Sequence, residues 1–422
     1  MYTSYTLKNG ATVILVPVEG TRAVTSLVTF PVGSRFEPKN IQGMAHFIEH
    51  MMFKGTKKRK NSYLLTREMD RLGAQYNAFT SKEYTGYYIK VDAKYTKTAL
   101  DILSDMLFES VFDAKELERE KGPIVEELAM YKDNPQMRIG DLFEELMYDG
   151  CALGRDIGGT PKHVKNMTKA QMIAFKNKWY SPKNMTIVLA GNITDNAQDL
   201  INSYFDRAAA KGPSRPKKTP AVFGSSKKTD RVSIDYRELD QVQLMMGVPG
   251  IARTSKDTGT VSVLDSILGD SMSSRLFIKI RERNGLAYSV SSGYRYFTDS
   301  GYFYISMGLD PKNVTKAVKM VMSELEKIAT KGISKRELED AKMSVRGGMA
   351  LSSESSSTRA MWFAKEHMFD STIETEEMWL KDKLDPTTAK DVQRLAKQLF
   401  KKSQMRVAAV GNVQKEDLLP LI

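Results

Sequence analysis

Cysteine is nearly missing from this chain: Cys151 is the only one in 422 residues. No intrachain disulfide can form, so buried apolar surface has to carry the stability, and a reducing, cytoplasmic compartment is expected. Long hydrophobic runs are missing as well. The opening MYTSYTLKNGATVILVP reads as an alternating strand, a turn and a second strand. It has no basic n-region of a secretory signal, and no later window reaches the roughly 20 apolar residues of a membrane span, so no membrane association is expected. The net charge is +12, yet its basic runs, KGTKKRK (54–60) and RPKKTPAVFGSSKKTDR (215–231), carry no nucleic-acid motif. They read as solvated faces and a linker, and no nucleic-acid partner is expected.

What is present is an ordinary globular composition, 41% hydrophobic and 27% charged, in a chain long enough for several domains. Between Arg207 and Arg231 periodicity gives way to Lys, Pro, Gly and Ser. The segments on either side end alike. NKWYSPKNMTIVLAGNITDNAQDLI (177–201) and KQLFKKSQMRVAAVGNVQKEDLLPLI (397–422) each read as helix, turn, apolar strand, Gly-Asn and a further helix start. This predicts an internal duplication in an α+β protein: two homologous domains, each an antiparallel-rich sheet with helices packed on one face. The expected division is a domain over 1–210, a linker over 211–230 and a similar domain over 231–422, in a clamshell-type assembly.

Histidine is scarce too, with four in the chain, and two of them fall within five positions in HFIEHMMFKGT (46–56). Ile41, Met44, Ala45, Ile48, Met51, Met52 and Phe53 recur around them at helical spacing. On a helix, His46 and His50 lie one turn apart on one face, with Glu49 beside them. Two neutral imidazoles can hold Zn²⁺, which activates a water, and Glu49 can take and return the proton as general base and acid. The order H-x-x-E-H is the reverse of the zincin motif H-E-x-x-H. His163 and His367 sit in polar contexts and read as surface residues. The third ligand is sought instead in ELEREKGPIVEELAMYKDNP (116–135), where Glu120 and Glu127 lie two helical turns apart on one face with Ile124 and Tyr131. Glu126 is rotated about 100° away. Glu127 is therefore the expected ligand, and Glu120 the residue that orients a ligand or the water from behind. Gly122 and Pro123 interrupt this stretch. A helix starting at Pro123 would leave Glu120 outside it and its role open.

HFIEHMMFKGT, with a glutamate 77 positions past the second histidine (50 and 127), resembles the pitrilysin or insulinase-like metallopeptidases, and within them the half-size processing-peptidase branch. The likeness continues through GAQYNAFTSKEYTGYY (73–88), ALGRDIGGTPKHV (152–164), YSPKNMTIVLAGN (180–192) and SSRLFIKIRERNGLAYSV (273–290). It implies a zinc endopeptidase, with one Zn²⁺ per chain, that hydrolyses short or unfolded peptides in a closed chamber. It further implies that Asn77, Ala78 and Phe79, within a strand expected over 76–91, form a sheet edge that binds substrate by strand addition. Arg281 and Tyr288 would donate to the substrate carbonyl and the developing oxyanion. In this family the chamber closes between two similar bodies. A half-size chain is therefore expected to form a homodimer, or a heterodimer with a related subunit, in which each site draws Arg281 and Tyr288 from the partner. The alternative is a scaffold or substrate-binding subunit without catalysis, of the kind that typically loses the zinc residues retained here.

Overall fold

The computed structural model describes residues 2–207, 213, 220–224, 227–370 and 372–422. Much of the linker expected at 211–230 (211, 212, 214–219, 225 and 226) lies outside the described residues. The chain forms two compact units, one of residues 1–129, 155–219 and 351–374, the other of 130–154, 220–350 and 375–422.

The first unit is built on a six-stranded sheet of β1 (Thr3–Thr6), β2 (Thr12–Pro17), β3 (Ala23–Phe30), β4 (Gln75–Thr80), β5 (Thr85–Asp92) and β6 (Thr186–Gly191), in the order β1-β2-β6-β3-β5-β4. The second holds β7 (Val232–Tyr236), β8 (Val242–Pro249), β9 (Ala287–Tyr296), β10 (Gly301–Leu309) and β11 (Arg406–Gly411), in the order β7-β11-β8-β10-β9. Only β2 with β6 and β7 with β11 run parallel; the other pairs are antiparallel. The single strand expected over 76–91 is instead the hairpin β4–β5. Polar Ser81, Lys82 and Glu83 break the alternation, and the Ser81 N–H donates to the Tyr84 carbonyl at 2.8 Å to close the turn.

The two sheets repeat one plan, down to local devices set 220 positions apart. The helices Lys169–Trp179 and Ala389–Leu399 both start with a capping box, on Thr168 and Thr388. Strands β6 and β11, each buried along its whole length, both end on a glycine with positive φ, Gly191 (+124°) and Gly411 (+138°). A Cβ at Gly191 would lie 2.2 Å from the Ala23 carbonyl oxygen, so the Gly-Asn repeat marks a chain exit that a larger residue blocks.

Helices line one face of each sheet. In the first unit these include α1 (Met44–Met52) and α2 (Ala114–Asp133), whose residues to Ala129 belong to this unit. The opposite face of each sheet is closed by one helix from the other half of the sequence. Helix α3 (Pro135–Met147) packs Ile139, Phe143 and Met147 against Met245, Tyr302, Ala408 and Val410 of the second sheet. Helix α4 (Ser356–Phe369) packs Ala360, Phe363, Ala364 and Met368 against Ile14, Val16, Leu27, Val188 and Ala190 of the first. The compact units are therefore not the contiguous halves 1–210 and 231–422, since each takes one helix from the other. The amphipathic spacing of such a helix says that it is buried on one side, not which sheet buries it. His367, expected at the surface, sits on α4, partly buried, with Nδ1 2.8 Å from the Thr186 hydroxyl. Among the described residues no helix is long and apolar enough to cross a membrane.

Phe363→Ala should cost about 3–5 kcal/mol, because its ring fills the contact between α4 and the first sheet. Hydrogen exchange should rise in β2, β3 and β6, far away in sequence; unchanged exchange there would contradict this packing.

Candidate metal centre

Helix α1 is nine residues long and buries six of them: Met44, Ala45, Phe47, Ile48, Met51 and Met52. The three left over, His46, Glu49 and His50, share the remaining face, as the i, i+3, i+4 spacing dictates. Helix α2 runs unbroken from Ala114 to Asp133 with Pro123 inside it. The alternative of a helix that starts at Pro123 does not hold, and Glu120 lies within the helix. Gly122 and Pro123 lie on the exposed side, and the carbonyl that Pro123 leaves without its helical donor, that of Arg119, belongs to an exposed residue that water can reach. On the other side of α2, Glu120 and Ile124 are buried, Glu127 is half-buried and Glu126 is exposed. Tyr131, expected on the inward face, is exposed.

The structure brings His46, His50 and Glu127 together. The two Nε2 atoms are 3.3 Å apart, His50 Nε2 is 3.2 Å from Glu127 Oε2, and His46 Nε2 is 3.7 Å from Glu127 Oε1. Ligand atoms around a tetrahedral zinc, at bond lengths of about 2.0–2.1 Å, are about 3.3–3.4 Å from one another. The observed separations, 3.2–3.7 Å with one Glu127 oxygen near each imidazole, come close to that spacing, so the donor set fits a zinc ion. Glu120 Oε1 lies 3.0 Å from His50 Nδ1. An ionised carboxylate only accepts, so Nδ1 carries the proton and Nε2 faces Glu127 as the ligand atom. Lys54 Nζ, 2.5 Å from Glu120 Oε2, holds that carboxylate in its charged form.

Electrostatics mark the same spot. Burial works against a charge on His50, but its hydrogen bonds to Glu120 and Glu127 outweigh this and push it up to about 9. Hydrogen bonds from His46 and His50 hold Glu127 far below the usual carboxylate range. Two carboxylates thus converge on His50; Lys54 balances Glu120, while Glu127 is balanced by the imidazoles. Glu49 is shifted the opposite way: burial raises it, although the Thr80 hydroxyl donates to its Oε2 at 2.6 Å. A carboxylate made more basic, beside a metal-binding trio and held in one orientation, is suited to proton transfer.

Thr80 ends β4, which is the edge strand of its sheet. With Ser81 bonded to Tyr84 at the turn, antiparallel alternation makes Phe79–Gly86 and Asn77–Tyr88 the hydrogen-bonded pairs. The N–H and C=O of Ala78 therefore point to the free edge, where the Ala78 N–H meets its neighbour's carboxamide, Asn77 Oδ1, at 2.9 Å. The ring of Phe79 lies across Gly86, where a Cβ would be 2.2 Å from it.

In the second unit, Arg281 sits in a wide π-type turn, Phe277–Glu282. Its guanidinium lies 4.8 Å from the Phe277 ring centre and 5.3 Å from that of Tyr288, which is 77% exposed at the start of β9. The pair is adjacent and faces solvent. Sequence reasoning missed Thr80, Lys54 and Glu37. Only Thr80 left a signal, sharing the strand face of Ala78 in NAFT; Lys54 reaches Glu120 across the fold, and Glu37 reaches the start of α1 through an irregular loop.

Two sheets of one plan, with a helix-borne imidazole pair and a distant carboxylate in the first, define a duplicated protein with a zinc-hydrolase type of ligand set. Comparison with known proteins agrees. The family described as Insulinase (Peptidase family M16) matches residues 12–161, and the one described as Peptidase M16 inactive domain matches residues 166–345. An uncharacterized zinc protease of Bacillus subtilis, YmxG, is 34% identical over 95% of this chain and 96% of its own length. One from Streptomyces coelicolor is 34% identical over 82% of this chain and 76% of its own. Among solved structures, a protease from Helicobacter pylori superposes with a TM-score of 0.88 at 23% identity, over 97% of this chain and 99% of that one. A peptidase M16 inactive domain from Pseudomonas fluorescens does so with 0.89 at 21% identity, over 98% of each chain. The chain belongs to the M16 peptidase family.

Zinc binding should displace the proton that the metal-free His50 carries below about pH 9. Between pH 7 and 8 each ion taken up should release about one proton, and apparent affinity should climb with pH until that range is passed. Titration of zinc into weakly buffered, chelator-stripped protein checks this; release well under one proton per ion would contradict it. Glu127→Ala should abolish stoichiometric uptake.

Proposed function

We propose that the chain is a zinc-dependent endopeptidase, with one ion per chain, acting on short or unfolded peptides. The convergence of His46, His50 and Glu127, with Glu49 on the same helix face, carries the reading. Zinc at this site would supply Lewis acidity and lower the pKa of a water towards neutrality. The protein's residues do the rest. His46, His50 and Glu127 hold the ion, and Glu120 keeps His50 in the binding tautomer. Glu49, oriented by Thr80, takes a proton from the attacking water and passes it to the leaving amine.

The free edge of β4 supports strand addition as the mode of substrate binding. A peptide paired there takes over the Ala78 N–H from the Asn77 carboxamide and uses main-chain bonds that make little demand on its sequence. Asn77 and Phe79 flank that contact. Arg281 and Tyr288, side by side with Tyr288 exposed, are suited to the developing oxyanion. A homodimer in which each site draws this pair from the partner chain is the arrangement that the family resemblance favours, and a related second subunit could replace one copy.

A quenched peptide should be cleaved by the zinc-loaded protein and not after chelation. Glu49→Gln should retain zinc yet lower kcat by about 10²–10⁴-fold. Zinc-loaded protein that leaves a broad peptide pool uncut would favour the non-catalytic subunit. Mixing Glu49→Gln with Arg281→Ala chains should restore part of the activity that each lacks alone. Exchanged but inactive mixtures would remove the shared-site arrangement.

A further inference from the structure

Nothing in the ligand set explains how so short a helix is held in place. Helix α1 starts at Gly43, whose φ of +89° ends a preceding loop, and its first-turn N–H groups need acceptors from outside the helix. Glu37 provides them from six residues upstream. Its Oε2 accepts the Gly43 N–H and its Oε1 the Ala45 N–H, both at 2.7 Å, and the side chain is 4% exposed. One carboxyl group thus spans the origin of the helix, with each oxygen accepting from a different backbone donor; burial pushes its pKa up to about 8, and these two hydrogen bonds work against that rise.

The segment that carries Glu37 is tied to the substrate edge. Ser34 N–H donates to the Ser81 carbonyl at 3.2 Å and Arg35 N–H to the Lys82 carbonyl at 2.8 Å, stitching residues 34–37 to the β4–β5 turn. A buried ion pair, Arg35 Nη1 to Glu83 Oε1 at 2.6 Å, closes the same junction. The turn and the segment meet again through a third loop. Lys82 Nζ donates to the Arg155 carbonyl at 2.5 Å, and Arg155 Nη1 to the Glu37 carbonyl at 3.0 Å. That loop leads into Gly158, which packs on the helix start. A Cβ at Gly43 would lie 2.2 Å from the Gly158 carbonyl oxygen, and one at Gly158 would lie 2.5 Å from Leu128 of α2 and 3.5 Å from His46 Nδ1. Gly158 therefore lies between the two helices that carry the metal-site side chains, in a loop tied to the other two.

We propose that Glu37 is a positioning residue that sets α1 against both α2 and the β4 edge. By clasping the helix origin it fixes where His46 and His50 meet Glu127, and where Glu49 meets Thr80. The inference rests on the metal-centre reading for what is positioned, while the clasp itself is a property of the metal-free chain.

Glu37→Gln and Glu37→Asp, made in the full-length chain, test this by two measurements. Zinc dissociation constants come from competition with a chromophoric chelator, and amide hydrogen exchange is followed in the metal-free protein. Glutamine turns an NH₂ group towards one of the two backbone donors. It should weaken zinc binding by about tenfold or more and speed exchange across 43–52 by about tenfold, leaving β3 and β6 unchanged. Aspartate keeps the carboxyl group with a shorter reach and should fall between the two. Zinc affinity within about twofold of wild type, together with unaltered exchange across 43–52, would overturn the proposal. Faster exchange spread equally over the whole first unit would also overturn it, marking Glu37 as a general stability residue. A wild-type chain that takes up no zinc, yet shows 43–52 loosened by Glu37→Gln, would overturn the metal centre and leave the clasp of α1 standing.

Discussion

Two carboxylates and two imidazoles pressed into one half-buried corner repel or compensate according to what lies between them, and that charge balance organises the first unit. Glu127 and Glu120 place negative charge around His50, and Lys54 answers only the outer one. A divalent ion would satisfy both Nε2 lone pairs and the Glu127 carboxylate at separations close to those observed. Much of the surrounding structure follows from keeping that corner open. Helix α1 turns six of its nine residues into the core so that the remaining three share one face. Helix α2 runs unbroken through Pro123, which keeps Glu120 and Glu127 two turns apart on one side, and its proline faces solvent, where the lost hydrogen bond costs least.

Duplication supplied the scaffold twice, and the two copies have diverged at this helix. In the first unit α1 follows β3. In the second, the helix Thr258–Leu268 follows β8, and all eleven of its residues are buried. It has no histidine. Its Asp265 is pushed up to about 7 by burial and accepts a hydrogen bond from the Ser292 hydroxyl at 2.5 Å. A helix that no longer reserves a face for a metal can be packed on every side. The second copy keeps the strand order, a capping box and the glycine strand end, and it places Arg281 beside Tyr288.

The candidate site was legible in the sequence wherever its parts lie within a few helical turns. H-x-x-E-H places three side chains on one face because helical geometry leaves them no other choice. The seven-residue step from Glu120 to Glu127, with Ile124 between, distinguishes Glu127 from Glu126 for the same reason. Legibility failed at Gly122-Pro123, where propensity argued for a break. Tertiary packing kept the helix whole, with both residues on its solvent side. The hairpin at 81–84 was missed because β4 and β5 look like one alternating strand until the backbone bond from Ser81 to Tyr84 is seen.

By itself the sequence determined the α+β class, the repeat and the trio His46, His50 and Glu49, since these depend on local periodicity and on spacing along one element. Only the tertiary structure decided that α3 and α4 each close the sheet of the other half, that Thr80 holds Glu49, and that Glu37 clasps the start of α1. Those contacts join residues from 6 to some 350 positions apart. Hydrophobic burial and carboxylate hydrogen bonding are indifferent to which distant partner satisfies them, so the partner is chosen by how the whole chain packs.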